Sequence, residues 1–205
     1  YGDDNETAQY VNGTSKFNVA AATATTGLAN GDAVSDVTET IDSTATVTTN
    51  AGTAGLWTKA SAAQFSHGTD ANYNIHYADG TFNITKRALT LAAGDKSRIY
   101  GTANSTANYV NGTNLFRVKQ GSLVNGDAIS TVTETIDSRA TVTTDAGTAG
   151  LKTQIANAVF GTGNANNYDV RYEDGSFAIT PRDLTLHAGS KTRIYGTENS
   201  TAVYT

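Results

Sequence analysis

The chain repeats itself. Leu28 to Leu56 reads LANGDAVSDVTETIDSTATVTTNAGTAGL, and Leu123 to Leu151 reads LVNGDAISTVTETIDSRATVTTDAGTAGL. The pairs that differ are Ala29/Val124, Val34/Ile129, Asp36/Thr131, Thr44/Arg139 and Asn50/Asp145. The same offset of 95 residues carries NYNIHYADGTFNITKRALTL from Asn72 onto NYDVRYEDGSFAITPRDLTL from Asn167, and DKSRIYGTANSTANY from Asp95 onto SKTRIYGTENSTAVY from Ser190. Only residues 1–19 pair at an offset of 99, because AAATATTG (Ala20 to Gly27) faces the shorter KQGS (Lys119 to Ser122). A length change confined to small residues reads as a loop-tip insertion, which costs little. Self-similarity at a fixed period means an array of like units, and it constrains the fold before any local signal does.

The boundaries follow from the period. Residues 1–87 form a first module that lacks its opening strand, 88–182 a complete second, and 183–205 the start of a third; Tyr1, Tyr100 and Tyr195 occupy one position in each. Both ends fall inside a module, so the sequence reads as a window on a longer tandem array. ITKRALTL runs one module into the next with no linker, which predicts an extended rod.

Within a module the apolar residues alternate. Leu89 and Leu91, Phe17 and Val19, Phe116 and Val118, and Tyr73, Ile75 and Tyr77 each keep a period of two, as does VTETIDSTATVTT from Val37 to Thr49, read as one strand or two hinged near Asp42. Leu56 to Phe65 alternates more weakly. Ala78-Asp79-Gly80 reads as the turn of a hairpin returning through Phe82 and Ile84, and further turns fall at the NGD of Asn30 and Asn125 and the NGT of Asn12 and Asn111. No segment has a convincing helical period. The fold class expected is all-β: tandem antiparallel β-sandwich-like modules of about 95 residues.

Cys and Met are both absent, which removes disulfides, thiolate metal sites and a cysteine nucleophile and suits an oxidising, extracellular setting. A net charge of −5 argues against nucleic acid and anionic membranes as partners, and no apolar run spans a bilayer.

The order ITKRALTL, GDKSRIYG, LVNGD, NYDVRYEDGSFAIT resembles the mostly-β, glycine-rich MBG repeats of large bacterial surface proteins. The Tyr-Gly pairs at Tyr100 and Tyr195 and the Y-x-D-G at Tyr77 and Tyr172 are the most characteristic parts. The resemblance implies stacked sandwich-like modules of secreted adhesins and filamentous-haemagglutinin-like exoproteins, serving as stalk in attachment, matrix association or biofilm cohesion. It brings no catalytic or metal-binding motif.

Candidate chemistry is sparse. His67, His76 and His187 are matched in the repeat by Thr162, Arg171 and Ala92, so no imidazole site belongs to the module. No catalytic, cofactor-binding or metal-ligating residue is assigned, and an enzyme is not expected. Calcium is a candidate ligand at Asp3-Asp4-Asn5-Glu6 and at the recurring Asp32 and Asp127, against ordinary turn roles. Trp57, matched by Lys152, is a candidate sugar platform or a half-buried face residue. Six N-x-S/T triplets, at Asn5, Asn12, Asn83, Asn104, Asn111 and Asn199, follow from Asn/Thr richness, and little N-glycan is expected. Recurring tyrosines point to packing. The threonines of Val37 to Thr49 could offer a hydroxyl face to polysaccharide or ice, but Arg139 interrupts that face in the second copy.

The function expected is a structural segment of a secreted cell-surface adhesin or extracellular filament, whose partners are neighbouring modules and other copies in a fibre. Two alternatives stand beside it: a module binding matrix polysaccharide or another surface, and a subunit that polymerises by strand addition.

Overall fold

The computed structural model describes residues 1–10 and 15–204; the turn expected at Asn12 lies outside them. The chain is mostly β. Its only helical pieces among the described residues are 3-10 turns of three residues.

In the first repeat β1 (Ala33–Ile41) pairs antiparallel with β2 (Trp57–His67), and β2 with the short β3 (Gly80–Thr81). The second repeat holds β4 (Arg87–Ala93), β5 (Lys96–Ile99), β6 (Asn108–Tyr109), β7 (Phe116–Gln120), β8 (Ala128–Ile136), β9 (Lys152–Thr162), β10 (Tyr168–Glu173) and β11 (Gly175–Thr180). These make a three-stranded sheet β10-β4-β7 and a five-stranded sheet β6-β5-β11-β9-β8. A last pair, β12 (Lys191–Thr192) and β13 (Val203–Tyr204), follows.

The β1/β2 and β8/β9 ribbons share their irregularities position for position. Each bulged strand places one non-glycine residue at positive φ, Ala62 at 47° and Asn157 at 53°. A tyrosine hydroxyl accepts the next backbone N–H in both: Tyr77 from Ala63 and Tyr172 from Ala158, each at 2.9 Å. The bulge leaves that N–H without a ladder partner, and the hydroxyl satisfies it.

The wholly antiparallel arrangement expected from sequence is overturned. β10 lies parallel to β4, from Tyr168 opposite Arg87 to Glu173 opposite Ala92, and β11 lies parallel to β5. The reason is that Asp174-Gly175 does not close a hairpin. β10 and β11 belong to different sheets, and so do β4 and β5 across Gly94-Asp95. Two strands cross from one sheet to the other side by side, so they run parallel in both. The crossings are tight: a Cβ on Gly175 would lie 2.5 Å from the Gly94 carbonyl oxygen, and one on Gly94 would lie 1.8 Å from that of Asn114. Asp95 ties them by accepting from the Ser176 backbone N–H at 2.7 Å and its hydroxyl at 2.8 Å.

Side chains of the two sheets meet between them. Leu89, Leu91 and Ala93 of β4 and Tyr168 of β10 pack against Val132 of β8 and Ile155 of β9. A smaller cluster of Ala140, Leu151, Phe177 and Ile179 lies beyond. In the first repeat the buried apolar residues are Val37, Ala45 and Leu56.

Two further expectations fail there. Residues 17–19 and 73–77 are not strands, although their counterparts are β7 and β10. β4 explains the difference, because it supplies the ladder partner of both β7 and β10. Among the described residues no equivalent strand lies between the two segments in the first repeat, and an extended segment without a ladder neighbour is no strand.

The stretch from Val37 to Thr49 is a strand only to Ile41. Asp42 then turns the chain, its carboxylate accepting from the Thr44 N–H at 2.9 Å and hydroxyl at 2.7 Å. Beyond it Thr49 Oγ1 accepts from the Thr46 N–H and donates to the Thr44 carbonyl. Thr141 and Thr144 repeat this loop in the second copy. The hydroxyls of Thr46 and Thr49 therefore close a turn instead of forming a flat ladder.

Candidate functional site: the junction between repeats

The residues that recur at module starts converge where the two repeats meet. Arg87, at the head of β4, donates from Nη1 to the Tyr1 carbonyl at 3.0 Å and to Asp3 Oδ1 at 2.7 Å. Its guanidinium holds the Asp3 carboxyl below the usual carboxylate range. Its counterpart Arg182 donates from Nε to the carbonyl of Tyr100, the counterpart of Tyr1, at 3.1 Å. The same contact thus ties the recurring tyrosine of each module to that module's last residue.

Tyr1 reaches across. Its hydroxyl donates to Asp127 Oδ2 at 3.2 Å, and its ring meets Tyr168 edge-on at 5.8 Å. Asp127 also accepts from the Tyr168 hydroxyl at 2.8 Å, and that hydroxyl accepts the Val124 N–H at 3.1 Å. Burial, with the Asp127 carboxylate adding to it, raises the Tyr168 phenol to about 12. Gly2 has φ of +80°, and a Cβ there would sit 2.3 Å from Val124 Cγ2. The Tyr-Gly pair places an aromatic anchor and lets the backbone turn against the next module.

The turn that ends the threonine stretch joins this contact. Asn167, buried at 1% exposure, accepts the Ala51 N–H on Oδ1 and donates to Asn50 Oδ1, both at 2.9 Å. Asn125 of the NGD turn donates to the Val47 carbonyl at 2.9 Å. Amides and carbonyls facing each other in this way fix position and orientation; they offer neither a nucleophile nor a proton donor poised for chemistry.

The other candidates fall into structural places. Asp32 accepts from Tyr73 at 2.7 Å as Asp127 does from Tyr168, and Asp3 is held by Arg87, so these carboxylates face protein donors. No group of three or more His, Asp or Glu side chains comes together among the described residues. His67, His76 and His187 are exposed and apart. Trp57 opens β2 half-buried, with Lys59 Nζ 4.2 Å from its ring centroid. Two glycosylation triplets have their amides engaged: Asn5 Nδ2 donates to the Ala45 carbonyl at 2.6 Å, and Asn104 Nδ2 to that of Ala140 at 2.7 Å.

Sequence reasoning missed two groups. Arg98, only 3% exposed, lies over the Phe177 ring and donates to Asn104 Oδ1 at 2.8 Å and the Thr141 carbonyl at 2.6 Å. Its recurrence as Arg193 was the available signal. Lys96 pairs with Glu134, which also accepts from Tyr109 at 3.0 Å, and its Nζ lies 4.3 Å from the Tyr109 ring centroid.

No family model matches the chain, and no curated protein or solved structure matches it. No helix among the described residues is long and apolar enough to cross a membrane.

Proposed function

We propose that the chain is a structural repeat segment of a secreted cell-surface adhesin or extracellular filament, in which tandem sandwich-like modules extend a stalk. The observation that carries this is the joint between the two repeats, where Tyr1 donates to Asp127 and meets the Tyr168 ring, and Gly2 turns against Val124. A joint tied by an aromatic anchor and several hydrogen bonds holds neighbours in one orientation, which is what a regular rod requires. The polar bridges from Asn167 and Asn125 favour a fixed joint over a swinging one. The missing sulfur residues and acidic charge agree with an extracellular setting, and the resemblance to MBG repeats points to a bacterial surface protein.

Small-angle scattering of the chain tests the mechanical part: one elongated particle of fixed length is expected, and two freely tumbling lobes would overturn it. Protease treatment of intact cells carrying the protein tests its place. Release of its peptides supports the surface, and full protection refutes it.

A further inference from the structure

The sequence holds four Asn-Gly pairs, and those at Asn30, Asn111 and Asn125 lie among the described residues. Each makes the same two-residue turn. Asn30, Asn111 and Asn125 have φ of 55°, 55° and 56°, and the glycines that follow have 76°, 69° and 77°. Each turn is closed by a backbone bond: Asp32 N–H to the Ala29 carbonyl at 2.9 Å, Thr113 N–H to that of Val110 at 3.0 Å, and Asp127 N–H to that of Val124 at 2.9 Å. Two successive positive φ values are what Asn-Gly adopts most readily.

Asn-Gly is also the pair most open to attack on itself. Glycine has no side chain to shield its backbone nitrogen, and that nitrogen can close on the asparagine Cγ. The N–Cγ bond forms, the Cγ–Nδ2 bond breaks, and the amide nitrogen leaves as ammonia with the proton given up by glycine. Water then opens the cyclic imide at one of its two carbonyls. The product is aspartate, or isoaspartate, whose main chain runs through the side-chain carbon. The glycines stand in open space in all three turns: a Cβ built on Gly31, Gly112 or Gly126 would meet no atom within 4 Å.

The three asparagines differ in what holds the amide. All are exposed, and among the described residues the side chains of Asn30 and Asn111 make no hydrogen bond. Asn125 Nδ2 donates to the Val47 carbonyl at 2.9 Å, across the joint between the repeats. Its leaving group is therefore tied to the other repeat, and Cγ reaches the Gly126 nitrogen only when that bond opens. The product cannot restore the bond. A carboxylate has no hydrogen to donate, and its oxygen would face the Val47 carbonyl oxygen. Isoaspartate also adds a main-chain atom inside a turn whose ends, the Val124 N–H and the Asp127 carboxylate, are both bonded to the Tyr168 hydroxyl.

We propose that Asn125 is a deamidation site gated by the joint between the repeats. The closed joint protects the amide, the opened joint releases it to the Gly126 nitrogen, and the product keeps the joint from closing as before. Opening thus leaves a covalent record. This rests on the stalk reading, in which that joint is fixed.

Asn111 is the internal standard. It shares the preceding valine, the following glycine and the turn with Asn125, and its amide is free. The full-length chain is held at mildly alkaline pH, folded or unfolded in guanidinium chloride, and its tryptic peptides are read by mass spectrometry. In the unfolded chain both sites are expected to deamidate alike. In the folded chain Asn125 is expected to be about 2- to 10-fold slower than Asn111, the protection one hydrogen bond gives. Equal rates in the folded chain, or one ratio in both states, overturn the gate. Asn125→Asp stands in for the product. Its readout is hydrogen exchange at Ala51, whose N–H donates to Asn167 Oδ1 across the same joint. Faster exchange than in the unaltered chain is expected, and unchanged exchange overturns the loosening. Scattering on the unaltered chain separates the failures: one elongated particle with equal rates removes the gate alone, and two freely tumbling lobes remove the stalk reading with it.

Discussion

The Tyr168 hydroxyl stands between an acceptor and a donor, giving its proton to Asp127 at 2.8 Å and taking the Val124 N–H at 3.1 Å. Tyr73 does the same with Asp32 and Ala29 at 2.7 and 3.1 Å. The tyrosine thus staples the NGD turn to the strand edge, and at the second copy Tyr1 of the preceding repeat joins it. Tyr168→Phe leaves the ring in place but strips both bonds, and is expected to destabilise the second repeat by about 1–3 kcal/mol, the net worth of two hydrogen bonds to half-buried partners. The pH dependence has a definite sign. The folded phenol is raised from 10.0 to about 12, so its contribution is complete below pH 10 and is lost as pH rises toward 12. Alkaline titration followed by tyrosinate absorbance should lose its last-titrating tyrosine in Tyr168→Phe, while the other raised phenols, Tyr10, Tyr73 and Tyr109, remain.

At acid pH the relevant group is Asp137. The Arg139 side chain, and then its backbone N–H, lower this carboxyl from 3.8 to about 2. The resulting stability is present above pH 3.8 and disappears as pH falls toward 2. Arg139→Ala should raise the Asp137 pKa toward the ordinary value, read by carboxyl NMR titration. Arg139→Thr should keep it partly lowered, because Thr44 does this for Asp42 through its hydroxyl and N–H.

That pair also marks what the sequence made legible. Leu89, Leu91 and Val37 were read only as keeping a period of two, and they are buried, because burial on a strand follows that local period. The end of the strand at Asp42 was written locally as well, in an Asp followed two residues later by a donor, and a hinge there was one of the two readings; threonine's strand preference suggested a second strand beyond it, where the chain forms a turn instead. The crossings at Gly94 and Gly175 were not written locally. Asp-Gly suits a hairpin as well as a sheet change, and the choice depends on backbone atoms far away in sequence, such as the Asn114 carbonyl. The junction was half legible: the recurrence of Tyr-Gly and of NGD marked the residues, but nothing in one copy says that Asn167 meets Asn50.

A substitution can test the shared bulge. Ala62 and Asn157 occupy equivalent positions at φ of 47° and 53°. This region crowds the Cβ of alanine, whereas asparagine enters it more readily. Ala62→Asn is expected to stabilise the first repeat, and Asn157→Ala to destabilise the second, each by about 0.5–1 kcal/mol. Urea midpoints at unchanged slope are the readout, and a shift in the opposite direction for both would show that neighbours, not the backbone, set the preference at this site.

The absence of a β4 counterpart should make the two repeats differ in protection although their sequences nearly coincide. Amides of β4, β7 and β10 bond within a ladder that lies over Leu89 and Leu91. The matching amides at 17–21 and 73–78 have no ladder, while β1 and β2 keep theirs. Hydrogen exchange follows local opening, so residues 88–92 and 168–173 should exchange slowly, residues 73–78 fast, and 34–41 in between. Measured on dilute protein, this order reports the single chain. Equal protection of 73–78 and 168–173 would show that the first repeat closes a second sheet as the second repeat does.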